Sequence, residues 1–420
     1  MTSNNSIDKY LRPGKHSETL LINQISQLRA SNKQKVYKFG FGQSPFPVPK
    51  KITQYLAESA HRKEYMSVQG HPPLRQAIAS FHNDIEDKHW QADQIIVGAG
   101  SKILLFCIMA AFEKAEILLP SPSWVSYEPQ GKLAGHTVDW IETKFEQRWQ
   151  LTPDALERYC QARKDPNIPL ILVFNYPSNP TGQTYSRSQL RALAQVMKKY
   201  NIIVIADEIY SLLTFKKDYA TLDEFYPEGS IVSSGLSKWC GAGGWRLGFH
   251  YIPKQLGKAF FQAVIGVASE TYSCASSPVQ VAATHAYENQ ALAKEFLSRQ
   301  RKLLSEVSEY CASSLSKVGV NVHQAQGGFY LFPEFSNFKN QLANRGITTS
   351  EQLTTALMDE IGVALLPGTA FGMPKSSLTA RLAFVDFDGA QIWSSENEHA
   401  EYEKTIEGIK RLSDWLTNLD

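Results

Sequence analysis

The chain has 420 residues, of which 43% are hydrophobic and 20% are charged, a composition typical of soluble globular proteins. This length favours two domains, and the formal net charge of +2 gives no electrostatic reason to expect binding to nucleic acid or to an anionic membrane. The five cysteines have no CxxC spacing and the ten histidines have no HExxH-type pairing. We therefore expect reduced thiols, a cytoplasmic location and no metal site.

The N-terminal segment MTSNNSIDKYLRPGKH is polar, so it does not predict a signal peptide. It leads into a predicted helix that carries Leu20, Leu21, Ile25 and Leu28 on one face. No uncharged apolar run reaches the roughly 18 residues that a membrane-spanning helix needs.

Between about residues 50 and 290, short β-branched runs alternate with amphipathic helices, which favours a largely parallel sheet. The predicted strands are Gln94–Val97, Ala115–Leu119, Leu170–Phe174, Ile202–Ala206, Ser230–Ser233 and Leu247–Tyr251. The predicted helices are Ile103–Phe112, Arg187–Tyr200, a long helix from Gln290 to Ser316, and a last helix around Ala400–Leu419. The pattern favours an α/β protein with a large sheet-bearing domain, residues 49–289, and a smaller α/β domain built from residues 1–48 and 290–420.

The segment that starts at Ser234, SGLSKWCGAGGWRLG, places Lys238 in a loop of small residues and Arg246 eight positions later. A lysine that is flanked by small residues and Trp, away from carboxylates, can be held neutral enough to form a Schiff base with an aldehyde. The glycines would let a phosphate approach the backbone. Taken alone, the segment is also compatible with a glycine-rich surface turn that contains two basic residues.

This segment resembles the cofactor-attachment site of the class I/II aminotransferases, which are pyridoxal-phosphate enzymes of fold type I. Its small-x-Ser-Lys start and its Gly-x-Arg-x-Gly end both match, and the resemblance continues in order over almost the whole chain. It implies that Lys238 holds pyridoxal 5'-phosphate as a Schiff base and then moves the substrate proton. It also implies that Arg246 binds the cofactor phosphate with a bidentate fork.

Two further segments match the family where it binds the phosphate and the ring. Gly98-Ala99-Gly100-Ser101-Lys102 follows a predicted strand and opens a helix, whose N-terminus can bind phosphate. The resemblance assigns Gly100, Ser101 and Lys102 to the phosphate. It assigns Trp124 to stacking on the cofactor ring and to the substrate pocket, although packing alone is the alternative for this side chain.

Asp207 ends an apolar strand, where a carboxylate is costly unless it is paired. The resemblance implies that Asp207 keeps the pyridine nitrogen protonated and that Tyr210 binds the phenolic oxygen. As an alternative, Asp207 would be a helix N-cap. The segment Asn175-Tyr-Pro-Ser-Asn-Pro-Thr-Gly182 resembles the family's Asn-Pro-x-Asn-Pro-Thr-Gly loop, in which Asn179 would contact the phenolic oxygen and the substrate carboxylate.

Arg381 lies within the apolar run LTARLAFV, which argues for a buried anionic partner and against a solvated surface residue. The resemblance assigns it to the substrate α-carboxylate. The segment GFGQSPFP resembles a Gly-x-Gly-Glu-Pro-x-Phe loop of the family, in which Gly42 would offer its N–H to the substrate, although Gln43 replaces the glutamate. Tyr65 matches a tyrosine that reaches the phosphate of a neighbouring subunit, which implies a homodimer; packing is the alternative.

Two departures from the family pattern leave the substrate range open. Gly235 stands where many members carry a phosphate-binding serine, and residues 384–389, FVDFDG, replace a small and polar run. The resemblance implies transamination between an L-amino acid and a 2-oxo acid, with aspartate and 2-oxoglutarate as the first choice. The alternatives are a lyase on the same fold, of the β-C–S lyase or aminocyclopropane-carboxylate synthase type, and a non-enzymatic aminotransferase-like regulator. Thr181 and Trp124 favour transamination over the lyases.

Overall fold

The structure is a computed structural model that describes Leu11 and residues 18–394 and 402–419. Its strands are β1 Tyr37–Lys38, β2 Ile95–Gly98, β3 Glu116–Ser121, β4 Thr137–Glu142, β5 Leu170–Asn175, β6 Ile203–Asp207, β7 Ser230–Gly235, β8 Gly248–Tyr251, β9 Tyr330–Leu331, β10 Val363–Ala364, β11 Leu366–Pro367 and β12 Ala380–Ala383. Its helices are α1 Glu18–Ser31, α2 Lys50–Ser59, α3 Pro72–Glu86, α4 Ser101–Ala110, α5 Tyr127–Leu133, α6 Pro153–Ala162, α7 Arg187–Lys199, α8 Lys258–Thr271, α9 Ser277–Glu288, α10 Gln290–Lys317, α11 Lys339–Asn344, α12 Ser350–Ile361, α13 Gly389–Ser394 and α14 Glu403–Thr417.

A seven-stranded sheet with the order β2-β8-β7-β6-β5-β3-β4 forms the centre of the chain. The strands β7, β6, β5, β3 and β4 are parallel to one another, whereas β8 is antiparallel to both β7 and β2. The predicted α/β class and mostly parallel sheet are therefore confirmed. The sequence prediction missed β4 because strands were predicted from apolar runs, whereas the first four residues of this edge strand alternate between exposed and half-buried.

The inner strands of this sheet are buried on both faces, as expected for parallel strands that are covered by helices. One face of the sheet, which includes Val173, Ile205 and Ile231, packs against α4 and α8. The other face, which includes Phe174 and Ala206, packs against α6 and α7. This two-sided burial explains why the strands appear in the sequence as uninterrupted apolar runs.

A three-stranded antiparallel sheet, β11-β12-β9, and a two-stranded parallel sheet, β1-β10, complete the strands of the described residues. The β1-β10 pair joins the N-terminal segment to the C-terminal part through Tyr37 and Val363. The predicted long helix from Gln290 is confirmed as α10. The predicted last helix is confirmed as α14, although its predicted start at Ala400 lies outside the described residues. The domain boundaries near residues 48 and 289 stay a prediction.

The first helix is present, but its apolar stripe is not buried within the chain. Leu20, Leu21, Ile25 and Leu28 are between 38% and 64% exposed. The helix instead packs through Ile22, which is so close to Gly40 that a Cβ there would collide with it. No described helix is both long and apolar enough to cross a membrane.

Candidate active site

Most of the sequence-predicted site residues meet at the carboxyl ends of β5, β6 and β7. Asn175 pairs in register with Asp207, and Asp207 pairs with Ser233 two residues before Gly235. The chain then enters the loop that carries Lys238 and Arg246 and returns through β8. Open α/β sheets bind their ligands at this end of the strands.

The Lys238 amine lies inside this cleft. Its Nζ donates a hydrogen bond to the carbonyl oxygen of Gly42 at 2.9 Å, and it lies 5.5 Å from the ring centroid of Tyr210 and 5.3 Å from that of Phe329. Burial disfavours the ammonium ion and lowers the pKa of Lys238, and the positive charges of Arg381 and Arg246 act in the same direction. The surroundings thus make Lys238 a better nucleophile than an exposed lysine.

Asp207 is 4% exposed at the end of β6. The hydroxyl of Tyr127 donates to its Oδ2 at 2.6 Å, and the backbone N–H of Ile209 donates to its Oδ1 at 3.3 Å. Burial raises the pKa of Asp207 to about 6, while the two hydrogen bonds oppose this increase. A buried carboxylate held in this way can accept a strong hydrogen bond from a protonated ring nitrogen.

The loop between β2 and α4 faces Arg246. Gly100 has a φ of +91° and precedes the first residue of α4, Ser101. A Cβ at Gly100 would collide with the Arg246 guanidinium, so the helix N-terminus and the arginine approach each other closely. The Nζ of Lys102 lies 5.4 Å from the ring centroid of Trp124. The structure therefore brings the predicted phosphate-binding residues together beside Trp124.

Gly235 shows why a serine is absent three residues before Lys238. A Cβ at this position would lie 2.7 Å from both the Cα of Gly248 and the carbonyl oxygen of Leu247. Since Gly235 and Gly248 pair across β7 and β8, the backbones of the two strands leave no room for a side chain. This departure from the family pattern has a packing cause.

Arg381 lies on β12 and is 1% exposed. Its Nη1 donates to the Oδ1 of Asn179 at 3.0 Å, and its Nη2 donates to the carbonyl oxygen of Gly40 at 2.7 Å. The guanidinium also lies 4.7 Å from the ring centroid of Tyr330 and 5.1 Å from that of Phe371. Within the part of the chain that the structure describes, no carboxylate pairs with Arg381, and its buried Nε has no hydrogen-bond partner. A buried cation of this kind can bind a carboxylate.

Three residues of the site were missed by the sequence patterns. Tyr127 binds Asp207, as described above. Tyr330 places its hydroxyl 2.9 Å from that of Tyr210 and donates to the carbonyl oxygen of Gly42 at 3.4 Å. A Cβ at Gly42 would collide with this hydroxyl, which explains the glycine.

The third missed residue is Asn175. Its Nδ2 donates to the backbone carbonyl oxygen of Asp207 at 2.7 Å, and its Oδ1 accepts from the backbone N–H of Asn179 at 2.6 Å. Asn175 thus connects the end of β6 to the residue that holds Arg381. In the sequence, Asn175 follows a predicted strand and begins the loop that resembles the family's Asn-Pro-x-Asn-Pro-Thr-Gly segment, but only Asn179 was given a role there.

Tyr65 takes part in none of these contacts. Its side chain is 92% exposed. A role for Tyr65 in cofactor binding would therefore have to involve a neighbouring subunit, and it stays a prediction.

Comparison with known proteins gives a consistent result. The sequence model of the family "aminotransferase class I and II" matches residues 34–405. The asparagine–oxo-acid transaminase of Streptococcus mutans is 30% identical over 371 residues, which cover 86% of this chain and 90% of that protein. The aspartate aminotransferase of Bacillus sp. strain YM-2 is 30% identical over 370 residues, with 86% and 90% covered.

Solved structures share the fold over nearly the full length. The aspartate aminotransferase from Thermus thermophilus, solved with maleate, has a TM-score of 0.82 at 22% identity and covers 99% of this chain and 100% of that one. The aspartate aminotransferase from Thermotoga maritima has a TM-score of 0.81 at 26% identity, with 96% and 98% covered.

Proposed function

The chain belongs to the class I and II aminotransferases, and we propose that it transfers the amino group of a dicarboxylic L-amino acid, aspartate in the first place, to 2-oxoglutarate. It is a pyridoxal-phosphate-dependent transferase. The cofactor, when bound, supplies an aldehyde carbon that takes up the amino group and a ring that accepts the electron pair left on the substrate carbon. The name of the Bacillus relative supports the choice of aspartate, whereas the Streptococcus relative is named for asparagine.

The residues of the cleft fit this cofactor. The N-terminus of α4 and Arg246 would hold the phosphate, since Gly100 lets the two come together without an intervening side chain. Asp207 would hold the ring nitrogen, because among the described residues its Oδ1 accepts only the long hydrogen bond from Ile209. Asn179 and Tyr210 would bind the phenolic oxygen, Trp124 would cover the ring, and Lys238 would carry the cofactor covalently.

Lys238 would also move the proton. An amine with a lowered pKa can accept a proton at Nζ from the substrate Cα and then return it to the reacting system, first as a base and then as an acid. Aromatic rings of Tyr210 and Phe329 beside the Nζ help to exclude water from this transfer.

The single observation that carries the proposal is the buried, unpaired guanidinium of Arg381. Its Nε is free of hydrogen bonds within the described residues, whereas its other nitrogens are oriented by Asn179 and Gly40. We assign the substrate α-carboxylate to this group, with Asn179 beside it and the N–H of Gly42 nearby.

A donor panel tests the substrate. We expect the purified holoenzyme to produce glutamate from 2-oxoglutarate with the highest kcat/KM for L-aspartate, because an acidic donor matches the acidic acceptor that the same site must bind. Chromatographic measurement of glutamate formation with each L-amino acid in turn gives the ranking. A neutral or aromatic donor that exceeds aspartate by about 10-fold, a difference of about 1.4 kcal/mol, would contradict the substrate but not the transamination.

We also propose a homodimer in which Tyr65 reaches the cofactor phosphate of the partner subunit. A tyrosine that is 92% exposed buries little of its ring within its own chain. If each site draws on both subunits, the dimer has isologous contacts, and each chain completes the site of the other.

Mixing two weakened variants tests this shared site. Lys238→Ala and Tyr65→Ala, exchanged between subunits at limiting cofactor, should regain up to about one quarter of the wild-type activity, because half of the dimers are hybrids with one intact site. The control mixes Tyr65→Ala with the double variant Lys238→Ala/Tyr65→Ala, which holds the same number of Lys238 side chains but cannot form an intact site. If subunits exchange and activity stays at the level of the control, Tyr65 serves only its own chain.

A further inference from the structure

The end of β6 presents two adjacent carboxyl groups to different surroundings. Asp207 faces the cofactor cleft, whereas Glu208 is 1% exposed and contacts residues on the other side of the sheet. Successive residues of an extended chain point to opposite faces, so the two groups share a backbone but not a site. The proposed chemistry uses Asp207 and leaves Glu208 without a role.

Glu208 is fixed from two directions. Its Oε1 accepts a hydrogen bond from the hydroxyl of Tyr176 at 2.6 Å, and its Oε2 lies 3.8 Å from the Nζ of Lys88. Lys88 is itself buried. Its Nζ donates hydrogen bonds to the Oδ1 of Asp223 and to the Oγ1 of Thr221, each at 2.5 Å. The Glu208 side chain therefore has a fixed position under Tyr176.

Tyr176 is equally constrained. Its hydroxyl donates to Glu208 and accepts the backbone N–H of Leu222 at 2.7 Å, so both of its usual hydrogen-bonding roles are filled. Its ring is fully buried in the cluster that covers this face of the sheet. Breaking the contact with Glu208 would leave a buried polar group without its partner.

Tyr176 belongs to the loop that orients Arg381, the proposed binding site of the substrate α-carboxylate. Its neighbour Asn175 binds the backbone oxygen of Asp207 and the backbone N–H of Asn179, and the side chain of Asn179 orients Arg381. The loop is thus attached to the end of β6 at two points, through Asn175 on the cofactor face and through Tyr176 and Glu208 on the opposite face.

We propose that Glu208 and Tyr176 are positioning residues, whose buried hydrogen bond fixes the Asn175–Gly182 loop against the end of β6 and thereby places Asn179 and Arg381 for the substrate α-carboxylate. The inference rests on the proposed assignment of the α-carboxylate to Arg381. Neither residue contacts the reacting atoms; each acts through the loop.

The protonation state of the Glu208 carboxyl determines which substitution preserves the hydrogen bond with Tyr176. Burial and the nearby carboxylates of Asp223 and Glu86 raise its pKa to about 8, while Lys88 opposes this increase. An amide of the same shape keeps an oxygen that accepts from Tyr176. Glu208→Gln is therefore the conservative variant, whereas Glu208→Ala and Tyr176→Phe remove the hydrogen bond.

A comparison of two amine substrates distinguishes a misplaced α-carboxylate site from a general loss of active-site structure. L-Aspartate carries the α-carboxylate, and 3-aminopropanoate is the same molecule without it. In single-turnover reactions followed by the cofactor absorbance, Tyr176→Phe and Glu208→Ala should lower the second-order rate constant for L-aspartate by roughly 10-fold. The rate constant for 3-aminopropanoate should stay within about 2-fold, and Glu208→Gln should restore most of the aspartate rate.

A control variant and a double variant show whether the losses come from the Tyr176–Glu208 hydrogen bond. Tyr185→Phe removes a different buried hydroxyl, which accepts the backbone N–H of Leu151 at 2.9 Å, and should leave the ratio of the two rate constants unchanged. The double variant Tyr176→Phe/Glu208→Ala should lose no more than either single variant, because both remove the same bond. Equal losses for both amines, additive losses, or an unchanged aspartate rate in Tyr176→Phe would each overturn the inference.

Failure of the proposed substrate is visible separately, in the wild-type enzyme. If the donor panel selects another amino acid, that donor and the amine left by removing its α-carboxylate replace the pair above. The inference about Tyr176 and Glu208 is then tested without aspartate.

Discussion

Replacing Lys238 by alanine is expected to abolish turnover and to leave cofactor binding largely intact. The substitution removes both the covalent attachment point and the proton carrier, and general acid–base catalysis alone contributes up to about 10⁴-fold. The phosphate and ring contacts that we propose for Gly100, Arg246 and Asp207 do not involve the Lys238 side chain. Absorbance of the dialysed protein measures the bound cofactor, and glutamate formation measures the activity.

Borohydride reduction of the wild-type holoenzyme gives a direct test of the same residue. Peptide mass spectrometry should find the reduced cofactor adduct on Lys238. Lys254→Ala is the matched control, since this lysine also follows the sheet but has a 62% exposed side chain that pairs with Asp93 on the surface. An adduct on another lysine, or turnover in Lys238→Ala near that of the control, would refute the assignment.

Truncating Arg381 to alanine should lower kcat/KM for α-amino acids by roughly 30-fold or more, because losing one partner of a buried charged pair costs about 2–5 kcal/mol. Arg381→Lys keeps the charge but loses the fork that Asn179 and Gly40 orient, so it should recover only part of the loss. Steady-state kinetics with L-aspartate measure both effects, and cofactor absorbance should stay near that of the wild type.

A surface arginine provides the comparison. Arg345 pairs with Glu360 and has a 36% exposed side chain, so Arg345→Ala should change kcat/KM little. If Arg381→Ala matches Arg345→Ala, the substrate α-carboxylate binds elsewhere, and the unpaired guanidinium needs another explanation.

The sequence predicted those parts of the site that follow recognisable local patterns. Asp207 comes directly after an apolar strand and Asn179 lies in the loop that follows another, while Lys238 and Arg246 lie in one glycine-rich segment, so spacing and family resemblance were enough to select them as candidates. The structure places these residues in one cleft and explains the glycines at 42, 100 and 235 by close contacts of neighbouring groups.

The residues that the sequence did not predict have partners far away along the chain. Tyr127 is separated from Asp207 by 80 positions and Tyr330 from Tyr210 by 120. A buried tyrosine has no local signal in the sequence that distinguishes packing from hydrogen bonding. Lys88 and Glu208 were missed for the same reason, because they lie in a buried ionic cluster whose members come together only in the folded chain.

Helix α1 illustrates a different point. Its spacing correctly predicted a helix, but the apolar side chains that define its stripe are exposed in the single chain. Periodicity identifies which residues share a face and cannot identify what that face contacts.

The two halves of the site differ in how much of the chain must be ordered before they exist. Lys238 and Arg246 lie between Gly235 and Gly248, which pair in adjacent strands, so a short loop closure brings these two cations together. Arg381 is joined to Asn179 across 202 positions and to Gly40 across 341. The proposed carboxylate-binding site at Arg381 is therefore a contact of very high sequence separation, and its entropy cost is recovered only after the segments that carry Gly40 and Arg381 have docked. A ligand carboxylate bound at Arg381 would add its binding energy to that long-range closure, so we expect the ligand to stabilise the fully assembled chain relative to partly folded ones.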